Sequence, residues 1–204
     1  MAQFALPLTI GGDAPERIVV GPSNQAAIEA CSRAHEWPFR TAILAGPPRS
    51  GKSLLARWFA ESGLGEAIDD ADLRPDDELF HAWNRAQASG TPLLLVSSVA
   101  PGEWRVALPD LASRLGAALL LEIGPPDDTM LAALIEDHAA RRGLALGEGA
   151  VAWLVPRIER SHAAIEALVA EIDRLSLERK SPVTISLLRE ALSPLGTERQ
   201  PRLL

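Results

Sequence analysis

Apolar residues fall into short unbroken runs over the first part of the chain and into helical spacings over the last third. Thr41-Ala42-Ile43-Leu44-Ala45, Pro92–Ser97 and Ala118–Ile123 are continuous apolar stretches, the pattern of strands covered on both faces. Between them the period lengthens. Ala27, Cys31 and Ala34 share one side of a segment 24–35 that Ser23 precedes, and further helices are expected from Lys52 to about Glu61 and from about Asp76 to Ala88. Asp76, Asp77 and Glu78 would sit in the first turn of the latter, where the helix dipole favours carboxylates. Ala67-Ile68 reads as a brief strand ending on Asp69-Asp70. Strands alternating with helices specify an α/β core with a parallel sheet. After Gly124-Pro125-Pro126 the strands stop, and helical patterns follow at about 127–142, 148–157 and 161–180. Ser161 and Thr184 are the expected caps of the third helix and of a final short one. Residues 1–15, carrying Pro7, Gly11, Gly12 and Pro15, keep no period and read as a tail; 16–123 read as the core and 124–204 as an all-helical subdomain.

Composition narrows the function classes. With 47% hydrophobic residues in 204, the chain can bury a core. Its 20 Lys+Arg against 27 Asp+Glu give a net charge of −7, which argues against broad electrostatic binding to DNA. The single cysteine, Cys31, excludes an internal disulfide framework and suits a reducing compartment. The apolar runs are too short to span a bilayer, and Met1-Ala2-Gln3-Phe4 opens no secretory leader. A cytoplasmic protein without membrane contact is expected. His35, His81, His138 and His162 are scattered without ligand spacing, so no metal site is expected beyond nucleotide-borne magnesium. Trp58, Trp83 and Trp153 fall in amphipathic helices and read as packing residues.

The strongest chemical signal is Gly46-Pro47-Pro48-Arg49-Ser50-Gly51-Lys52-Ser53, which matches G-x-x-x-x-G-K-[ST] at every specified position, with an apolar strand before it and a helix after it. Gly51 lets the backbone curl so that its N–H groups face phosphate oxygens, at the positive end of the following helix. Lys52 would neutralise the β- and γ-phosphates of ADP or ATP, and the Ser53 hydroxyl would take Mg²⁺. Asp69, ending the brief strand, is the expected acidic partner of that metal, and Asp70 would orient an attacking water. The plainer reading of Asp69, Asp70 and Asp72 is a solvated acidic turn ahead of a helix. Only 16 residues lie between Lys52 and Asp69, room for one helix and no additional strand.

Together with the P-loop and Ile68-Asp69-Asp70, the octet Leu108-Pro109-Asp110-Leu111-Ala112-Ser113-Arg114-Leu115 resembles the AAA+ ATPases related to the bacterial initiator DnaA. The resemblance covers nearly the whole chain. It implies an AAA+ core with one edge strand missing and a helical lid. It also implies that Arg114 is an arginine finger acting in trans on DnaA-bound ATP. The tail Gln3-Phe4-Ala5-Leu6-Pro7-Leu8 is similar to the peptide by which short members of that family bind the β sliding clamp of DNA polymerase III. In that mode Gln3 would bond at a pocket edge, while Leu6 and Leu8 bury around a backbone that Pro7 keeps extended. DNA would then be reached only through the clamp. No basic helix-turn-helix pattern follows residue 195. The expected function is negative regulation of replication initiation.

Two departures from the family pattern bear on hydrolysis by the chain itself. Ser98 stands where an acidic or polar sensor closes the strand Pro92–Ser97. Ala163 and Ala164 stand where a lid arginine would reach the γ-phosphate, with Arg157 and Arg160 as distant substitutes. Weak intrinsic ATPase activity is expected. The alternatives are an autonomous P-loop ATPase or small-molecule kinase, and an adaptor in which nucleotide does no switching; self-association stays open. Read outside the octet, Arg114 is an ordinary surface arginine in an ion pair.

Overall fold

The computed structural model describes residues 5–7 and 17–196. These separate into two compact units that meet between Pro125 and Pro126.

In the first unit, β1 (Ala5–Pro7) pairs antiparallel with β2 (Arg17–Val19) in the register Leu6↔Ile18. This differs from the tail expected over 1–15. Three residues are too few for an apolar period to register, and the pairing is set by the partner strand. The chain continues through α1 (Gln25–Ser32), β3 (Thr41–Ala45), α2 (Lys52–Glu61), β4 (Glu66–Ile68), α3 (Asp76–Ser89), β5 (Leu93–Ser97), α4 (Pro109–Ala117) and β6 (Leu119–Glu122). Helix α1 is shorter than its small-residue pattern, because the chain tightens into a 3₁₀ turn at Ala34–Glu36. The Asn24 amide serves the turn before it, accepting from Gly21 N at 2.9 Å and donating to Val19 O at 2.8 Å.

The four strands β3 to β6 form a parallel sheet in the order β4-β5-β3-β6. The strand that leads into the P-loop is therefore internal, as its five buried residues require. Between Lys52 and Asp69 the backbone contains α2 and β4 and no additional strand, so β4 forms the edge. The two-residue alternation of a strand sorts the core into two layers. Ala42, Leu44, Leu94, Val96 and Leu121 pack with Ala27, Ile28 and Cys31 of α1 and Leu55 and Phe59 of α2. Ile43, Leu93 and Leu95 pack on the other face with Leu79, Ala82 and Ala86 of α3 and Leu111 and Leu115 of α4. Each fully buried Leu, Ile or Phe contributes about 1.5–3 kcal/mol of transfer free energy, so these layers hold the loops at the strand ends in place.

The second unit is helical: α5 (Asp128–Arg141), α6 (Ala150–Leu154), α7 (His162–Arg179) and α8 (Ile185–Gly196). Side-chain oxygens cap α5, α7 and α8. Asp127 accepts from Met130 N at 2.8 Å, Ser161 from Ala164 N at 3.1 Å and Thr184 from Leu187 N at 3.3 Å. Helix α6 is half as long as expected, since Gly149 enters it at φ 77° and the chain tightens into a 3₁₀ turn over Val155–Arg157. Leu131, Ile135, Leu154, Ile165, Leu168, Ile172 and Leu188 are fully buried and form the centre of this unit. Among the described residues no helix is long and apolar enough to cross a membrane.

Candidate nucleotide site and the Arg114 helix

The loop between β3 and α2 is shaped by backbone more than by side chains. Arg49 and Gly51 both take left-handed conformations, φ 65° and 86°, which turns the chain sharply before α2 begins at Lys52. Gly46 has no room for a side chain, because a Cβ there would stand 2.9 Å from the Ile123 carbonyl oxygen. The buried Lys52 ammonium donates to the carbonyls of Gly46 and Pro47, both at 2.8 Å. Burial lowers its pKa, and the carboxylates of Asp69, Asp70 and Asp72 oppose that shift. Ser50 is buried with its Oγ lacking a hydrogen-bond partner. Beside these groups opens a cavity of about 250 Å³ lined by Arg49, Ser50, Gly51, Lys52 and Ser53, with Leu54 and Arg57 behind. An orphaned hydroxyl, a desolvated cation and the start of a ten-residue helix in one small concavity fit a phosphate chain.

The acidic residues named from the sequence are brought to this cation. Asp69 follows β4, half-buried, and its Oδ1 accepts from Asp70 N at 3.0 Å. Asp70 is exposed and left-handed, φ 51°, which swings the chain into the 3₁₀ turn Ala71–Leu73. Ser53, exposed on the first turn of α2, lies on the same cavity as Lys52. The described residues hold no cluster of three His, Cys, Asp or Glu suited to a metal by themselves. A divalent cation here would therefore rely on phosphate oxygens as well as on Ser53 and Asp69.

Arg114 lies elsewhere, on α4, and its contacts are with α3 and its own helix. Nη2 is 2.8 Å from Asp110 Oδ2 one turn earlier, Nη1 donates to Asn84 Oδ1 at 2.6 Å, and the guanidinium lies 4.4 Å over the Phe80 ring. Pro109 at the first position starts this helix, and Asp76 anchors the loop before it by accepting from Ala107 N and Leu108 N at 2.7 and 2.9 Å. Phe80, Asn84 and the anchoring role of Asp76 are invisible to sequence reasoning. They precede Arg114 by 30 residues or more, and only the i, i+4 spacing of Phe80 and Asn84 on α3 hints that they share a face.

Ser98 lies exposed just past the end of β5, while the buried Ser97 hydroxyl is spent locally on Val99, donating to its carbonyl at 2.7 Å and accepting from its N at 3.0 Å. In the helical unit Arg160 pairs with Asp128 at 2.6 Å. Arg157 stacks 4.5 Å over Trp153 and donates to its carbonyl. Ala163 and Ala164 occupy the first turn of α7. Of the tail motif, Leu6 and Pro7 fall in β1, whereas Gln3 and Leu8 lie outside the described residues.

Comparison with known proteins bears on this arrangement. Residues 127–192 match the family model described as Hda, lid domain. Among solved structures, domain III of the Thermotoga maritima replication initiation protein DnaA superposes with a TM-score of 0.72 at 18% identity, over 90% of this chain and 95% of that one. AMPPCP-bound DnaA from Aquifex aeolicus gives 0.60 at 18% identity, over 80% and 67%. The Thermotoga maritima RuvB Holliday junction branch migration motor gives 0.63 at 18% identity, over 86% and 70%. The four-stranded parallel sheet with its P-loop, followed by a helical lid, is thus an AAA+ fold. With residues 127–192 matched to the Hda lid as well, this chain is similar to the DnaA-related AAA+ proteins of the Hda-like kind.

Proposed function

We propose that the chain is a nucleotide-holding regulator, tethered to the β sliding clamp, that stimulates hydrolysis of DnaA-bound ATP through Arg114. The observation that carries this reading is the position of Arg114. It is a half-buried guanidinium on α4 whose contacts are Asp110, Asn84 and Phe80 and none of the P-loop, in a chain with an Hda-type lid. Charge that develops on a γ-phosphate in a partner's site is stabilised by such a cation. The terminal nitrogens now bonded to Asp110 and Asn84 are those a phosphate would take, so docking exchanges these contacts for the phosphate.

The chain's own site would hold ADP or ATP. Gly46, Pro47, Pro48, Arg49, Ser50 and Gly51 form the loop, Lys52 supplies the counter-charge, and Ser53 with Asp69 holds Mg²⁺. The bound nucleotide supplies a phosphate chain that gives Lys52 and the Ser50 hydroxyl partners. Asp70 would orient water, but with alanines at 163 and 164 and with Arg157 and Arg160 engaged within the lid, hydrolysis in this site would be slow. Gln3, Leu6, Pro7 and Leu8 form the clamp peptide. To present it extended, β1 leaves β2, which breaks a pairing only three residues long.

The test is a clamp-dependent assay of DnaA-bound ATP. Arg114→Ala is expected to lower stimulated hydrolysis by about 10³–10⁵-fold, with Arg114→Lys recovering little because an ammonium lacks the planar fork. Clamp and nucleotide binding should both survive. Stimulation by Arg114→Ala equal to the parent protein would overturn the reading. Brisk ATP turnover by the purified chain alone would favour the autonomous ATPase instead. For the tether, alanine at Gln3, Leu6 and Leu8 together should abolish clamp retention in a pull-down while leaving the melting temperature nearly unchanged.

A further inference from the structure

Phe39 and Arg40, in the turn that leads into β3, are consecutive non-glycine residues with φ 48°. An aromatic residue in the left-handed region is uncommon, and glycine would take that conformation without cost. The turn is nonetheless fixed on every side. The Phe39 carbonyl accepts from Gln87 Nε2 of α3 and from Thr41 Oγ1. Its ring rests on Trp83, with centroids 6.1 Å apart. The Arg40 side chain runs beside Gly90, at the C-terminal end of α3. All this holds the Phe39 ring in water: it is 57% exposed, over a Trp83 that is 5% exposed. The ring covers Trp83 and still leaves more than half of its own surface in water. Strain of this kind is retained where the displayed group does something else.

Helix α3 connects this ring to Arg114. Gln87 and Trp83 hold Phe39, and Asn84 and Phe80, on neighbouring turns of the same helix, hold Arg114. A surface that brings a phosphate to a guanidinium bonded to Asn84 has the next turn of α3 within its reach. A specific interface spans about 800 Å² on each partner, whereas one helical turn rises only ~5.4 Å. We propose that Phe39 is the apolar anchor by which this chain docks on the AAA+ partner that receives Arg114, the two acting as separate affinity and rate elements of one surface. The proposal rests on the reading of Arg114 given above. Aromatic side chains packed at the centre of an interface are among the groups that dominate its affinity.

The experiment titrates ATP-loaded DnaA with the full-length chain and clamp, recording a binding isotherm and the hydrolysis rate. Phe39→Gly suits the left-handed turn and should fold normally, checked by its melting temperature. It should raise the half-saturating concentration roughly tenfold while the rate at saturation is retained. Phe39→Tyr, which keeps the ring, should restore affinity. Leu177→Ser, at an exposed apolar residue of the lid, should change neither quantity. Arg114→Ala should lose rate with binding largely intact. A parental isotherm for Phe39→Gly, or an equal loss of affinity in Phe39→Gly and Phe39→Tyr, overturns the anchor. The isotherm decides this even if Arg114→Ala keeps its full rate, an outcome that would refute the finger and not the anchor.

Discussion

Lys52 and Arg114 are cations set in the same unit, yet the molecule builds around them in opposite ways. The Lys52 site comes from eight consecutive residues: β3 delivers the loop, two left-handed residues turn it, and α2 begins on the lysine itself. Its partners are backbone carbonyls. The Arg114 site is assembled from two helices distant in sequence, and its partners are the side chains of Asp110, Asn84 and Phe80. A backbone-made site tolerates almost any residue at its unspecified positions and almost none at its glycines and lysine. A side-chain-made site can lose one partner and keep its shape, because the helices that carry it are packed by other residues.

That contrast can be broken in solution. The largest effect is expected at Lys52: Lys52→Ala should weaken ADP binding by about 100-fold or more, since a charge-assisted contact is lost from a desolvated site. Arg114→Ala should leave ADP affinity as it is. Calorimetric titrations showing equal losses for the two variants would erase the distinction. Gly46→Ala comes next. It drives a methyl against the Ile123 carbonyl and should destabilise the fold by roughly 1–3 kcal/mol in urea unfolding, with a shifted midpoint and unchanged slope. Gly51→Ala meets no neighbour within 4 Å and pays only for φ 86°, so about 1 kcal/mol is expected. Asn84→Ala removes an exposed amide from Arg114 and should shift stability by no more than about 0.5 kcal/mol. A larger loss for Asn84→Ala than for Gly46→Ala would mean that side-chain partners hold this unit together after all.

At neutral pH the effect at Cys31 is the smallest, because it develops only in alkali. Burial pushes its thiol up to about 12, well above the usual thiol range. A thiol whose folded pKa is raised contributes stability below the unfolded value, and that contribution is lost as pH climbs from about 9 to 12. Stability should therefore decline across that alkaline window, and a thiol reagent at neutral pH should react only as fast as the chain opens. Prompt labelling of the native protein would place Cys31 outside the packed layer.

The same contrast explains what could be read beforehand. Strands β3, β5 and β6 announced themselves because burial on both faces demands unbroken apolar runs, and the P-loop did because its chemistry is local in sequence. The Ser161 and Thr184 caps were legible for the same reason, each acting three residues away. Strands β1 and β2 were not, for a three-residue strand carries no period and its register lies in its partner. The shortening of α6 came from Gly149, whose left-handed entry delays the helix that the apolar spacing suggested. The surroundings of Arg114 were hidden because Phe80 and Asn84 meet it only after α3 and α4 have packed on the sheet.

The position of β4 at the sheet margin has one more consequence. An outermost strand offers its free amides and carbonyls to any passing chain, and a long flat one invites self-assembly. Here that strand is three residues long, opens on the exposed Glu66 and is followed at once by Asp69 and Asp70. The brevity and the flanking carboxylates act as gatekeepers against edge-to-edge polymerisation. The acids that follow β4 thereby also protect the margin of a four-stranded sheet.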